Sequence, residues 1–331
     1  MSDAAFANLT GEVVHRFDHR AMATTFTIYI FDEEHGYARQ AARAAFDLID
    51  DLEEQLSYFV PSSDVSQINR LKAGESVRVG PATLACIQTG LEVGRLTGGA
   101  FDLTVGALLS GRQPWDATPL GAELYQPRLG PVTVGMDLIA VNPELNAVAV
   151  LADNVEIDLG GIGKGYALDE AAQLLRDWGI ARAMLSAGLS TMLPVGEPPA
   201  EGWRMRVIEP RNEKQVLAHF RTFDRAVSTS SWSPDQPHIL DPTTGEPATH
   251  YLAAWSMAPS AAWADALSTA FLVMPPESIE ALCRERPEVC GMLLSDQDGE
   301  LSLAAFGSWQ RLACELNDQS CEPAAEAGPT S

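Results

Sequence analysis

The stretch 158-DLGGIGKGYALD-169 carries glycine at 160, 161, 163 and 165, then runs into an amphipathic segment, and the residues on either side of it decide the fold. Ahead of it, two strands are expected at about 147–151 and 154–159. Behind it, Leu168, Ala171, Leu175 and Trp178 recur at spacings of three, four and three, which is one face of a helix, and a further strand is expected at 182–186. The local order is strand, glycine loop, helix, strand. Neither standard nucleotide loop fits: counted from Gly161, the last glycine of G-x-G-x-x-G falls on Tyr166, and the first glycine of G-x-x-x-x-G-K-[ST] falls on Asp158. Glycines permit close backbone approach, and free N–H groups at a helix start favour an anion. On this pattern a structural turn and a phosphate-binding loop both stay open.

Working outward, Phe26, Ile28 and Ile30 alternate in 24-TTFTIYIFD-32 and predict a half-buried strand, and Ala41, Ala45, Leu48, Leu52 and Leu56 predict a helix over about 36–56. Pro61 marks a loop; Pro81 suits the first position of a helix carrying Leu84, Ile87 and Leu91 and stopping at Gly98-Gly99. Residues 112–145 are rich in Pro and Gly and read as a long irregular excursion. Ser260 is placed to cap a helix over 261–274 with Trp263, Leu267, Ala270, Phe271 and Met274 as its buried stripe, ended by Pro275-Pro276. A last helix near 277–286 and a hairpin turning at 296-DQDG-299 complete the core. Strands and helices mix without strict alternation, which indicates an α+β unit over 20–316, preceded by an extension (1–19) and followed by a disordered tail (317–331).

The net charge of -23 and pI near 4.5, with three lysines, exclude an electrostatic nucleic-acid binder. An anionic ligand would need a metal or local N–H groups to offset that field. No apolar run is long enough for a membrane span, and the N-terminus lacks the cationic start and apolar stretch of a secretion signal. The five cysteines show no metal-binding spacing and read as reduced thiols, so a cytoplasmic location is expected.

Three further segments carry chemistry. In 260-SAAWADALSTAF-271, Asp265 and Thr269 are four apart, so one helical face presents a carboxylate beside a hydroxyl. That is either a solvated face or a hard-oxygen site for Mg²⁺, which takes few protein carboxylates. In 238-HILDPTTGEP-247, Asp241-Pro242 opens a strong turn, and His238 ahead of it is a structural residue or a general base. Tyr58 in 57-SYFVP-61 and Phe101 in 99-GAFDLTVG-106 lie near loops where an aromatic either packs in the core or stacks on a flat ring.

Taken in order, 22-MATTF-26, 57-SYFVPSSDVSQIN-69, 99-GAFDLTVG-106, 158-DLGGIGKGYALDEA-171, 186-SAGLS-190, 238-HILDPTTGEP-247 and 264-ADALSTAF-271 resemble the motifs of the ApbE family, the FAD:protein FMN transferases, over roughly residues 20–305. The resemblance implies a single α+β unit of mixed, largely antiparallel sheets with flanking helices, similar to a T-fold. It implies transfer of FMN from FAD to a threonine or serine hydroxyl of a partner flavoprotein, releasing AMP, with Mg²⁺ or Mn²⁺ as the cation. Asp265, Thr269 and the Gly163 carbonyl are then the metal ligands. Tyr58 meets the isoalloxazine, while Met22, Phe101, Asp102, Thr104, Gly161, Lys164, Asp169 and Gly188 line the FAD site. His238, with Asp241 in the same turn, is the candidate for deprotonating the incoming hydroxyl. The sequence departs from the family pattern at Ala23 (glycine), Leu103 (proline) and Gly163 (alanine), in the short segment after Ser228, and most at Gly188-Leu189-Ser190, where the family carries G-G-D. Family members that are exported carry a lipoprotein signal that is not seen here. Hydrolysis of FAD to FMN and AMP, and FAD binding without catalysis, are the alternative readings.

Overall fold

The computed structural model describes residues 13–109, 133–232, 239–297 and 299–309. Strands β1 (Val14–Ala21) and β2 (Thr24–Phe31) form an antiparallel hairpin with Ala21 opposite Thr24, so Met22 and Ala23 alone make the turn. Residues 14–19, expected in an extension, therefore belong to the sheet as its edge strand. Their signal is weak because an edge strand is only half covered and its outward positions are polar. Met22 (φ 48°) and Ala23 (φ 57°) both adopt the left-handed conformation that a two-residue hairpin turn requires and that Asn-Gly usually supplies. That conformation is costly for a residue with a Cβ. Ala23→Gly is accordingly expected to stabilise the protein by about 0.5–1 kcal/mol, read as a higher denaturation midpoint; an unchanged or lower midpoint would contradict the strained turn.

The hairpin opens an eight-stranded antiparallel sheet, ordered β1-β2-β6-β7-β10-β11-β12-β13, with β6 (Arg182–Ala187), β7 (Thr191–Gly196), β10 (Ala226–Ser231), β11 (Ala253–Ala258), β12 (Cys290–Gln297) and β13 (Glu300–Phe306). The last two pair from Gly291 opposite Phe306 to Gln297 opposite Glu300, on either side of the expected turn. A three-stranded sheet ordered β3-β5-β4 combines β3 (Ser76–Arg78), β4 (Ile139–Asn142) and β5 (Ala147–Val150), and β8 (Trp203–Glu209) pairs with β9 (Asn212–Thr222) as a separate hairpin. One face of the large sheet carries that hairpin, with Trp203, Met205 and Phe220 packed on Phe31, Trp255 and Met292.

Helices cover the other face. They are α1 (His35–Leu56), α2 (Asp64–Ile68), α3 (Pro81–Leu96), α4 (Gly106–Leu109), α5 (Gly163–Asp177), α6 (Ala261–Phe271) and α7 (Pro276–Glu285). The alternation of β11 explains how α6 gets so close to the sheet. Ala253, Trp255 and Met257 face the hairpin, while Ala254 and Ala258 face the helices and leave room for a backbone. The Ser256 hydroxyl on that face donates to the Ala264 carbonyl of α6. Ser260 caps α6 by accepting from the Trp263 N–H, as expected, but the helix ends at Phe271, and Trp263 is only half-buried.

Two further expectations change. Residues 154–159 form no strand; a single parallel bridge joins Glu156 to Val105. Of the irregular excursion, 112–132 lies outside the described residues, and the remainder contains a 3₁₀ turn at Met136–Leu138 and strand β4. The tail 317–331 and His238 also lie outside them. Among the described residues no helix is long and apolar enough to cross a membrane.

Candidate active site

The glycine loop meets α6 at Asp265, which is only 3% exposed. The Gly165 N–H donates to Asp265 Oδ2 at 3.0 Å, and Lys164 Nζ stands 3.9 Å from the same oxygen while donating to the Gly160 carbonyl at 2.9 Å. The carboxylate therefore faces the N-terminal turn of α5, takes up its Gly165 N–H, and lies where the helix dipole favours negative charge. Oδ1 is held more loosely: the Thr191 and Ser228 hydroxyls lie 3.3 and 3.4 Å away. Thr269, one turn further along α6, lies 3.2 Å from the Ser230 hydroxyl. A Cβ on Gly161 would stand 3.2 Å from the Phe101 ring and 3.4 Å from Thr269 Oγ1, so Phe101, Gly161 and Thr269 converge. Gly163 opens α5 and is buried two residues before the N–H that Asp265 accepts.

A second group of residues shapes the wall beside the loop. The Tyr58 hydroxyl donates to Glu156 Oε2 at 2.7 Å, and the Asn69 amide exchanges two hydrogen bonds with the backbone of Ile157, at 2.9 and 2.8 Å. Asp102 accepts from the Thr104 N–H at 2.7 Å and from its hydroxyl, and the fully buried Thr104 hydroxyl accepts from the Gly135 N–H. Burial pushes the Asp102 carboxyl above the usual range, against these donors. Asp102 and Thr104 thus brace one loop, which runs alongside 156–158 through the Leu103 carbonyl and the Asp158 N–H.

Met22 and Gly188 come together at one end of the large sheet. The Gly188 N–H donates to the Thr25 carbonyl; its φ of 58° favours glycine, and a Cβ there would sit 2.5 Å from Thr24 Oγ1, so that side chain would have to turn. The neighbouring Leu189, where the family pattern has glycine, is 61% exposed. Asp241 accepts from the Thr243 N–H at 2.8 Å within its own turn, and no hydrogen bond among the described residues links it to Asp265. Asp169, expected to line the FAD site, holds the start of α6. Its two oxygens accept from the Ala261 and Ala262 N–H groups, both at 2.8 Å, so it caps α6 and acts on Asp265 through the helix start.

Loss of hydration pushes the Asp169 carboxyl up to about 6 from a usual 3.8, with the Ala262 and Ala261 N–H groups opposing. The folded chain thus keeps a proton that the unfolded chain has released, and the contribution of this group to stability falls as pH rises from about 4 to about 6. Asp169→Asn cannot titrate, so relative to the wild type it should gain up to about 3 kcal/mol between pH 4 and pH 7. Urea denaturation at both pH values tests this; parallel pH dependences would contradict it.

The donor set is informative about a cation. Among the described residues no group of three or more His, Cys, Asp or Glu side chains is placed to hold a metal, which leaves out the usual zinc arrangements. One buried carboxylate with a loosely occupied oxygen, flanked by hydroxyls, fits instead a hard cation that completes its shell with water and ligand oxygens. Thr191, Ser228, Ser230 and Ser268 were not apparent as site residues in the sequence. They come from strands and from α6, where Ser and Thr are unremarkable.

The sequence model of the ApbE family matches residues 22–294. The chain is 26% identical over 294 residues to the FAD:protein FMN transferase of Vibrio cholerae, covering 84% of this chain and 86% of that protein. It is 27% identical over 280 residues to the protein of the same name from Escherichia coli K12, covering 78% and 76%. Among solved structures, the ApbE protein of Thermotoga maritima superposes with a TM-score of 0.76 at 25% identity, over 91% of this chain and 99% of that one. The apo flavinyl transferase ApbE of Pseudomonas stutzeri shares the fold, with a TM-score of 0.75 at 23% identity over 91% and 97%. By its sequence match and its fold, the chain belongs to the ApbE family.

Proposed function

We propose that this chain transfers FMN from FAD to a threonine or serine hydroxyl of a partner flavoprotein and releases AMP. The observation that carries the reading is the buried Asp265 carboxylate set against the glycine loop, with Lys164 and Thr269 beside it. Asp265, Thr269 and the Gly163 carbonyl would hold Mg²⁺ or Mn²⁺, which when bound neutralises the pyrophosphate and its leaving group. The chain's own residues do the rest. The dipole at the start of α5 and the Lys164 ammonium favour the pyrophosphate, and Tyr58, fixed by Glu156, offers its ring to the isoalloxazine. Phe101, Gly161, Met22 and Gly188 line the FAD site, with Asp102 and Thr104 bracing the loop that presents Phe101. His238, which precedes in sequence the turn that Asp241 organises, accepts the proton of the incoming hydroxyl as the new P–O bond forms and the P–O bond to AMP breaks.

The test is incubation with FAD, Mg²⁺ and candidate flavoprotein acceptors, with intact-mass measurement of the acceptor and detection of AMP. Addition of one FMN, abolished by a chelator, is the expected result. Free FMN and AMP with no change in acceptor mass would assign the chain to FAD hydrolysis, and FAD recovered intact would leave binding alone.

A further inference from the structure

A chain of hydroxyls connects the two side chains assigned to the cation. Thr191 and Ser228 are 2.9 Å apart, Ser228 and Ser268 3.3 Å, Ser268 and Ser230 2.8 Å, and Ser230 and Thr269 3.2 Å. Thr191, Ser228 and Ser268 are fully buried. They lie where the surrounding positions, Ala226, Ala254, Ala258 and Ala264, are small and apolar, so alanine would pack as well. Burying a hydroxyl is costly unless it is hydrogen-bonded, and here each is bonded mainly to the next.

Counting protons gives the chain a direction. Each hydroxyl has one proton and two lone pairs. Thr269 can turn its lone pairs outward to a cation only if its proton points back, to the Asp265 carbonyl at 3.3 Å or to Ser230 at 3.2 Å. Ser268 already approaches that carbonyl more closely, at 2.9 Å. The order Thr269 to Ser230 to Ser268 to the carbonyl gives each of these three protons one acceptor and ends on a backbone oxygen; the Ser268 proton is then not given to Ser228, and Thr191 with Ser228 forms a pair of its own beside Oδ1. At the other end, Thr191 and Ser228 stand 3.3 and 3.4 Å from Oδ1, longer than the roughly 2.5–2.7 Å of a firm hydroxyl–carboxylate bond. They limit rotation of the carboxylate while Oδ1 keeps acceptor capacity.

We propose that Thr191, Ser228, Ser268 and Ser230 are positioning residues that orient Asp265 and Thr269 toward a divalent cation. This rests on the metal reading given under the proposed function. Removing one such supporting partner typically weakens metal binding about 10–100-fold. The readout is the Mn²⁺ dissociation constant, from the electron paramagnetic resonance of the free ion, in the presence of FAD and without acceptor. Thr191→Val keeps the shape and removes the hydroxyl, and Thr191→Ser keeps the hydroxyl; Ser230→Ala, at a half-buried position, is the second probe. The expected result is about 10-fold or greater weakening in Thr191→Val and in Ser230→Ala, with Thr191→Ser close to the wild type. Wild-type affinity in Thr191→Val and Ser230→Ala, with loss in Asp265→Ala, would overturn the hydroxyl chain alone. Equal weakening by Thr191→Val and Thr191→Ser would trace the effect to packing and also overturn it. Undiminished Mn²⁺ binding by Asp265→Ala, or none by the wild type, would overturn the metal reading itself.

Discussion

Asp265→Ala is expected to lower FMN transfer by about 10²–10³-fold or more, the scale of losing one preorganised charge-stabilising group. The side chain is buried, so the loss cannot be made up by solvent, and the nearest cationic group, Lys164, stays 26% exposed and hydrated. The cost in stability should be smaller. The Gly165 N–H and the Thr191 and Ser228 hydroxyls lose an acceptor, an effect of about 1–3 kcal/mol, but the charged partner left behind is not itself buried. Asp265→Asn separates the two contributions, because it keeps the shape and one acceptor oxygen and removes only the charge. Transfer rates with FAD and Mg²⁺, set beside denaturation midpoints, decide the matter. Full activity in Asp265→Ala would remove this carboxylate from the reaction.

How much of this site could be read from the chain depends on whether the partners are local. The spacing of Asp265 and Thr269 is a helical property, and so was visible, along with the Ser260 cap and the face of α5. What spacing could not reveal was that both lie on a helix buried nearly all round, because that follows from Ala254 and Ala258 on a strand ahead of it and from α5 a hundred residues earlier. Thr191, Ser228 and Ser230 carry no motif of their own; their role appears only when β7 and β10 pair and bring them beneath α6. Asp169 shows the converse. Its motif pointed to the ligand, while its two oxygens go to the Ala261 and Ala262 N–H groups. Residues 154–159 were read as a strand, and Val155, Ile157 and Leu159 are indeed buried, but Asn69 occupies the backbone groups of Ile157 that a neighbouring strand would need.

The glycine loop itself yields the largest expected effect on stability. Helix propensity alone would make Gly165→Ala favourable by about 1 kcal/mol. Yet a Cβ at 165 would lie 2.1 Å from the Ala261 carbonyl oxygen and 2.8 Å from the Ala262 nitrogen, both backbone atoms of the first turn of α6. No rotamer change relieves such a contact, so α6 must move away from α5. That movement pulls on the Gly165 N–H bond to Asp265 and on the Asp169 cap. Destabilisation of about 3 kcal/mol or more is expected, a fall of roughly 4–5 °C or more in the denaturation midpoint for a chain of this length, with transfer lost alongside. Gly179→Ala provides the comparison, since Gly179 has φ 75° with nothing within 4 Å of its added Cβ, and should cost only the backbone strain of about 1–2 kcal/mol. If Gly165→Ala proves no more harmful than Gly179→Ala, the close approach of α5 and α6 is not what this glycine is for. If it is worse by about 1 kcal/mol or more, the loop serves first to bring two helices together, and any anion it holds depends on that packing.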